Sequence, residues 1–240
     1  MISVCLACYN GESYIEDQIQ SILCQLDKSD ELIISDDGSS DTTCAIIKNF
    51  NDDRIKLIKG PRRGVIKNFE HALILAKGTY IFLSDQDDIW QKNKIKCSIN
   101  EISRGNILVV SDATLIDGTG EVISSSFFEV NNTNPGFFNN YIKNGYLGCC
   151  MAFHRKLIPV VLPFPINVGM HDIWIGSISS IVGKVSFLNI ALVCYRRHPG
   201  TTTITGQKSS SSLTNKLMWR LCLLYQVAVR TSLFSRRINL

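Results

Sequence analysis

The sequence predicts an α/β protein in which a mostly parallel sheet is covered by helices. The first 110 residues alternate short apolar runs with amphipathic segments of helical period, which is typical of right-handed βαβ units. The chain has 240 residues, 45% hydrophobic and 19% charged, a composition that supports a sizeable core. Polar and acidic residues follow three of the apolar runs directly, where parallel sheets place their ligand sites.

The first unit starts with a strand in ISVCLACY over residues 2–9, followed by the turn pair Asn10-Gly11. Residues 13–25 then place Ile15, Ile19, Ile22 and Leu23 on one helical face. This pattern indicates a strand, a tight turn and a helix that packs on the sheet.

The next two units repeat this order. The apolar run in DELIISDDGSSD ends in acid and glycine, and a helix is expected to follow from TTCAIIKNF. RIKLIKG alternates as a strand, and GVIKNFEHALILAKG has the period of a helix that stops at Gly78.

The fourth strand, in TYIFLSDQDD, ends in acids, and a helix is expected in KNKIKCSINEI. ILVVSDATLID and VISSSFFEV are predicted to be extended. Residues 125–170 contain Gly, Asn and Pro clusters and are predicted to form loops and short helices on the far side of a cleft.

The nine cysteines do not form paired metal-binding motifs. Cys5 and Cys8 form a CxxC, but the two side chains of a strand at this spacing face opposite sides. We therefore expect buried free thiols in a reducing cytosol.

The segment FLSDQDDIW places Asp85, Asp87 and Asp88 at the end of an apolar strand. Carboxylates bind hard cations such as Mg²⁺ or Mn²⁺, and a site with one or two of them leaves coordination positions for phosphate oxygens. A solvated acidic turn is the alternative, but the apolar run before the acids and Trp90 after them disfavour it.

A second acidic pair, Asp36-Asp37, ends the second strand. A carboxylate there can accept a hydrogen bond from uracil or thymine N3–H or from ribose hydroxyls. Alone, DDGSSD would be an ordinary turn. Because both acidic clusters lie on one edge of the sheet, a nucleotide site is favoured.

Five segments in order, ISVCLACYNGESYIEDQIQSIL, LIISDDGSSDTT, FLSDQDDIW, MHDIW and YRRHPG, resemble glycosyltransferase family 2, which has the GT-A fold. The resemblance spans residues 2 to about 205 and is nearest to bacterial enzymes that build O-antigen, capsule or rhamnose-containing polysaccharide. It implies sugar transfer from a nucleotide-diphosphate donor with inversion, using Mn²⁺ or Mg²⁺. The chain has Pro199-Gly200 where relatives often have Gly-Asn, so this loop departs from the family pattern.

The resemblance also implies residue roles. Tyr9 would stack on the base, which Asp37 would bind with help from Asp36, and Asp87 and His198 would bind the metal. The residues implied for donor-nucleotide binding are Ala7, Tyr9, Asn10, Asp36, Asp37, Lys67, Asp85, Gln86 and Arg197. Accessory candidates are Asp88, His171, Arg196 and Trp90.

Inversion requires a base that deprotonates the acceptor hydroxyl as it attacks. In GMHDIWIG, Asp172 lies among apolar residues and matches the family's base motif. Desolvation raises the pKa of a carboxylate and makes it a stronger base. A helix N-cap is the alternative role for Asp172, and the two are compatible.

The C-terminal segment is strongly basic. After Asp172 the chain has nine Lys and Arg and no acid, and since the whole chain has a net charge of +4, the first 172 residues carry −5. After a Ser-rich link, residues 213–240 predict one helix with a basic stripe of Lys216, Arg220, Arg230 and Arg237. Such a helix suits an anionic membrane surface, and packing on the domain or on a partner subunit is the alternative.

We therefore predict a GT-A domain over 1–206, with a nucleotide-binding half (1–110) and an acceptor and catalytic half (111–206), and a basic amphipathic helix over 207–240. The predicted activity is transfer of a hexose or deoxyhexose from UDP-glucose, UDP-galactose or dTDP-rhamnose to a lipid-diphosphate-linked saccharide, in the cytoplasm at the inner membrane surface. A nucleotidyltransferase and a non-catalytic sugar-nucleotide-binding subunit are the alternatives. A homodimer is left open, and nucleic acid is not an expected partner.

Overall fold

The computed structural model describes residues 1–166, 169–198 and 213–238, and within them nine strands form one sheet. The strands are β1 (Ile2–Cys8), β2 (Glu31–Asp36), β3 (Ile55–Lys59), β4 (Tyr80–Asp85), β5 (Ile89–Trp90), β6 (Asn106–Ile116), β7 (Val122–Ser124), β8 (Met151–His154) and β9 (Lys184–Arg196). The helices are α1 (Ile15–Leu23), α2 (Thr43–Asn49), α3 (Val65–Leu75), α4 (Lys94–Ser103), α5 (Phe127–Asn131), α6 (Phe137–Ile142), α7 (Ile158–Val161), α8 (His171–Val182) and α9 (Leu213–Ile238).

The strand order is β3-β2-β1-β4-β8-β6-β9-β5, with β7 paired to β6. The first four strands are parallel, and β6 and β9 are parallel to each other. β8 is antiparallel to both β4 and β6, and β5 is antiparallel to β9. The sheet is thus mostly parallel, as predicted.

The apolar runs form the centre of the sheet because helices cover both of its faces. Every residue of β1 and of β2 is buried. A strand covered on both faces is continuously apolar rather than alternating, which explains ISVCLAC. Ile15, Ile19 and Ile22 of α1 are fully buried, as the helical spacing predicted.

Two predictions for the middle of the chain are wrong. The segment VISSSFFEV is extended only over β7, since Ser126 caps α5 by accepting a hydrogen bond from Glu129 N and the two phenylalanines are buried. The region 125–170 also contains β8, which lies between β4 and β6 in the sheet. A four-residue apolar strand has too few positions to show a period.

α9 packs on the domain through the buried Leu223 and Val227. Arg230 donates hydrogen bonds to the carbonyls of Val160, Leu162 and Pro163, at 3.1, 2.8 and 2.8 Å. Its guanidinium also lies 5.4 Å from the centre of a Trp174 ring, a favourable cation–π distance.

The basic stripe of α9 therefore does not face outward at the two positions whose side chains are described. Arg220, like Arg230, donates to a carbonyl of the domain, that of Ile142. Both arginines donate hydrogen bonds to carbonyls of the domain, which corrects the predicted orientation. The exposed side of α9 carries instead the apolar residues Met218, Leu221, Tyr225, Val229 and Leu233, called the outer face below.

The Ser-rich link and the side chains of Lys216 and Arg237 lie outside the described residues. None of the helices that the structure describes has the length and apolar composition needed to cross a bilayer.

Candidate active site

A cavity of about 840 Å³ opens at the carboxyl ends of β1, β2 and β4. Because β1, β2 and β4 are parallel, their carboxyl ends lie at the same edge of the sheet. The predicted residues that line the cavity are Ala7, Tyr9, Asp37, Asp85, Gln86, Asp87, His171 and Asp172.

The loop after β1 is held by Gln86. The Gln86 side chain accepts a hydrogen bond from Tyr9 N at 2.8 Å and donates one to Tyr9 O at 3.1 Å. Gly11 lies beside it, and a Cβ there would come within 2.4 Å of Gln86 Oε1, so a larger residue would displace the Gln86 amide from these hydrogen bonds. The Tyr9 ring is 56% exposed at the cavity, so it is available to stack on a base. Donor contact by Gln86 stays a prediction.

The loops after β1 and β2 are tied together through Asn10. Its backbone N–H donates to Ser39 Oγ and its side-chain oxygen accepts from Ser40 N, at 2.8 and 2.9 Å. Asp36 accepts from the N–H groups of Gly38 and Ser39, at 3.1 and 3.0 Å. The turn considered as the alternative for DDGSSD is therefore present, and Asp36 helps to form it.

Asp37 holds the loop between β3 and α3. Its carboxylate accepts hydrogen bonds from Arg62 N at 2.7 Å, Arg63 N at 3.3 Å and Gly64 N at 2.7 Å. This places Arg62 at the cavity as a cation that the sequence analysis missed. The signal was the sequence Arg62-Arg63-Gly64 just before α3, but the sequence analysis chose Lys67, three residues further on.

The acidic loop after β4 is joined to the end of β9. β5 pairs with β9, and Asp87 Oδ2 lies 2.9 Å from His198 Nε2. The two residues that the resemblance implied as metal ligands are thus adjacent. Carboxylates suit Mn²⁺ or Mg²⁺, and an imidazole beside them fits a transition-metal ion such as Mn²⁺ better than Mg²⁺.

Arg196 holds this loop through hydrogen bonds to Asp87 and Asp88. It donates from its backbone N–H to Asp88 Oδ1 at 3.0 Å and from Nε to Asp87 O at 2.9 Å. A further guanidinium nitrogen lies 3.2 Å from Asp117 O. Arg196 is buried, so it positions the acidic loop in this structure. Arg197, whose backbone N–H donates to Ile116 O at 2.8 Å, is not a lining residue of the cavity.

Burial and like charges raise the pKa values of the acidic loop. Burial, with the negative charges of Asp87 and Asp172, raises the pKa of Asp85 to about 7. Asp88 is completely buried, and burial with the negative charges of Asp87 and Asp85 raises its pKa well above the ordinary value. A bound cation would relieve this repulsion, which supports a metal site here.

Asp172 lies in the first turn of α8 and lines the same cavity as the residues that follow β1, β2 and β4. Burial raises its pKa to about 6, although a hydrogen bond from Ile173 N at 2.6 Å and the nearby Asn144 side chain act to lower it. The residue at the N-cap position is Met170, so the predicted capping role is wrong. Asn144 was missed because it lies in a segment without a periodic pattern.

His171 is buried beside Asp172, and burial lowers its pKa to about 3, so it is neutral. Its ring centre lies 4.2 Å from that of Phe69. Neither ring nitrogen has a hydrogen-bond partner among the described residues. Gly148 makes room for the ring, since a Cβ there would lie 2.7 Å from Nε2.

Two residues predicted for the site, Lys67 and Trp90, do not line the cavity. The Lys67 ammonium pairs with Glu70 at 2.8 Å, and Lys67 is not a lining residue of the cavity. Trp90 is buried, with the Lys94 ammonium 4.9 Å from its ring centre. Trp90 therefore belongs to the core beneath the acidic loop.

The family model described as "Glycosyl transferase family 2" matches residues 3–161, more than half of the chain. The chain belongs to this family and is a glycosyltransferase. The match decides against the nucleotidyltransferase alternative.

Several relatives and solved structures are similar to the chain. The UDP-Glc:alpha-D-GlcNAc-diphosphoundecaprenol beta-1,3-glucosyltransferase WfgD of Escherichia coli is 28% identical over 213 residues, which cover 87% of this chain and 81% of WfgD. The dTDP-rhamnosyl transferase RfbG of Shigella flexneri is 40% identical over 103 residues, 40% of this chain and 36% of RfbG. The crystal structure of S. aureus TarS 1-349 in complex with UDP-GlcNAc matches with a TM-score of 0.69 at 18% identity, covering 95% of this chain and 66% of that one. This last likeness confirms the GT-A fold.

We predict that Asp37→Asn destabilises the protein by about 1–2 kcal/mol. The asparagine side chain keeps only one acceptor oxygen, so it cannot accept hydrogen bonds from all three N–H groups of the 62–64 loop. The measurement is the free energy of unfolding in urea. The matched change Asp53→Asn, at an exposed position, should stay within about 0.5 kcal/mol. Equal effects of the two changes would contradict the role assigned to Asp37.

Proposed function

We propose that this chain is a metal-dependent, inverting glycosyltransferase that transfers a hexose or deoxyhexose from a nucleotide-diphosphate sugar to a lipid-diphosphate-linked saccharide in bacterial surface polysaccharide synthesis. The observation that carries the proposal is that Asp172 and the acidic loop face one cavity. The printed activities of WfgD and RfbG support a lipid-linked acceptor and UDP-glucose or dTDP-rhamnose as donor, with UDP-galactose also open.

Asp172 is the proposed general base. The acceptor hydroxyl oxygen attacks the anomeric carbon on the face opposite the diphosphate, and the bond from that carbon to the diphosphate oxygen breaks. Asp172 takes the hydroxyl proton, and the nucleoside diphosphate leaves with the bonding electron pair. A pKa of about 6 keeps the carboxylate ionised near neutral pH while making it more basic than an exposed aspartate.

The donor nucleotide is proposed to bind on the side of β1 and β2. The exposed Tyr9 ring offers a stacking surface, and the Asp37 carboxylate and the loop that it holds form the wall next to it. Arg62 supplies positive charge for the donor's phosphates.

Asp87 and His198 would hold a divalent cation, with Asp85 beside it. Such a cation neutralises charge that develops on the diphosphate leaving group. The adjacency of Asp87 and His198, and the raised pKa of Asp85, support this assignment.

The protein is also proposed to act at the cytoplasmic face of the inner membrane, bound through the outer face of α9. Five exposed apolar residues form this face, and the acid-free C-terminal segment adds positive charge that complements anionic lipid. The acceptor's lipid would be located at the same surface.

The first prediction concerns the base. Asp172→Asn should lower kcat by about 10²–10⁴-fold while donor binding is retained, because the amide cannot take the proton. Since the base must be ionised, wild-type kcat/KM should rise with pH through about 6 and then level off. Activity with each donor is measured on a lipid-diphosphate N-acetylhexosamine acceptor.

Asp53→Asn is the matched control for this experiment and should behave as wild type. A fully active Asp172→Asn enzyme would exclude Asp172 as the base. A wild-type protein that binds donors but transfers none of them would favour the non-catalytic alternative.

The second prediction concerns the metal. A chelator should abolish transfer, and added Mn²⁺ or Mg²⁺ should restore it. Asp87→Asn and His198→Asn should each weaken Mn²⁺ binding by at least about tenfold, measured by electron paramagnetic resonance without substrates. Asp53→Asn should bind Mn²⁺ as wild type does, and full activity in the chelator would contradict metal dependence.

The third prediction concerns the membrane. Leu221→Gln with Tyr225→Ser should reduce flotation with anionic vesicles by about tenfold or more, because buried apolar area drives interfacial binding. Ile74→Gln, which changes an exposed apolar residue on α3, should have no effect. Undiminished flotation would contradict the proposal, and a wild-type dimer that the double change dissociates would assign the outer face to a second subunit.

A further inference from the structure

A second cavity, of about 290 Å³, lies beside the main one, where α9 meets α6 and the start of α8. Asn144 and Met170 line both cavities. Met170 precedes His171 and Asp172 directly in the chain, so the second cavity adjoins the proposed base.

The lining of the second cavity combines aromatic rings with one cation. Trp219 lies directly over Gly169, where a Cβ would be 2.5 Å from the indole ring, so only glycine leaves room for it. The Tyr141 ring is stacked on Phe137, with ring centres 6.0 Å apart and planes 14° apart. Arg220 lines the cavity, with one guanidinium nitrogen on the Ile142 carbonyl. None of the described lining residues is acidic.

The position of this cavity matches the order of groups in a lipid-linked acceptor. The donor side of the main cavity lies at β1, β2 and β4, and the reacting hydroxyl must approach from the side of Asp172. Beyond Asp172 come the shared residues Asn144 and Met170 and then Arg220, whose near neighbours in α9, Met218 and Leu221, belong to the outer face.

We propose that the second cavity is the acceptor subsite, in which the guanidinium of Arg220 binds the acceptor's diphosphate. Trp219 and Tyr141 form the apolar wall against which the linked sugar packs, and the lipid leaves along the outer face. Arginine suits this role because its planar donors match phosphate oxygens. The inference rests on the proposed function, since it requires an acceptor that carries a diphosphate.

The test compares Arg220→Gln with wild type on two acceptors in neutral detergent micelles, which contain no anionic lipid. One acceptor is a lipid-diphosphate N-acetylhexosamine, and the other is the same sugar as an alkyl glycoside without phosphate. We expect the KM of the diphosphate acceptor to rise about tenfold, as expected for loss of a charge-assisted hydrogen bond. The KM of the alkyl glycoside, the donor KM and kcat should each change less than twofold.

Arg220→Lys keeps the charge and should recover part of the affinity for the diphosphate acceptor. Arg104→Gln, a matched change at an exposed arginine of α4's end, should leave both acceptors unaffected. The glutamine amide can still donate to the Ile142 carbonyl, and an unchanged donor KM verifies that the variant is folded.

If Arg220→Gln changes neither KM, or raises both equally, the inference is overturned while the proposed function stands. If wild type transfers sugar to the alkyl glycoside but not to the diphosphate acceptor, the lipid-diphosphate acceptor and the inference both fail. A selective rise for the diphosphate acceptor supports the subsite.

Discussion

The repulsion among carboxylates at the end of β4 is the constraint on which the site depends. Asp85, Asp87 and Asp88 lie within four residues, and Asp88 is completely buried. Groups at and just after the end of β9 offset this repulsion. The Arg196 backbone N–H donates to Asp88, the Arg196 side chain donates to the carbonyl of Asp87, and His198 contacts the Asp87 carboxylate. The short pairing of β5 with β9 holds these segments together.

The raised pKa values of Asp85 and Asp172 lower the stability of the folded protein. Asp85 and Asp172 have folded pKa values of about 7 and about 6, above the ordinary value of 3.8. Between about pH 4 and pH 7 the folded state therefore binds more protons than the unfolded state, and these two groups make folding less favourable as pH rises through that window. A cation at the acidic loop would offset part of this cost, so function and stability are linked at the same atoms.

The C-terminal helix connects the active site to the surface. Arg220 and Arg230 face the domain and donate hydrogen bonds to its carbonyls, and the apolar outer face of α9 is exposed on the opposite side. A helix with arginines inward and apolar residues outward is the reverse of a free amphipathic helix in water. Its orientation is explained if the outer face meets an apolar phase and the second cavity opens beside it.

The sequence by itself determined the α/β class, the order of the early strands and helices, and the family, because local periodicity records which positions are buried. It also indicated that Asp37, Asp85 and Asp87 lie close together, since the carboxyl ends of parallel strands meet at one edge of the sheet, and these residues and Asp172 line one cavity. The roles inferred for those residues, and the metal, remain predictions from chemistry and resemblance.

Only the tertiary structure decided where β8 lies and what the polar side chains contact. Gln86 binds the backbone of Tyr9, 77 positions earlier, and Arg196 binds Asp88, 108 positions earlier. Lys67 pairs with Glu70 instead of lining the cavity, and Arg230 caps carbonyls near Pro163. Sequence periodicity indicates that a side chain is buried, but not which distant segment it contacts. Its contacts and hydrogen-bond partners depend on how the strands and helices pack together.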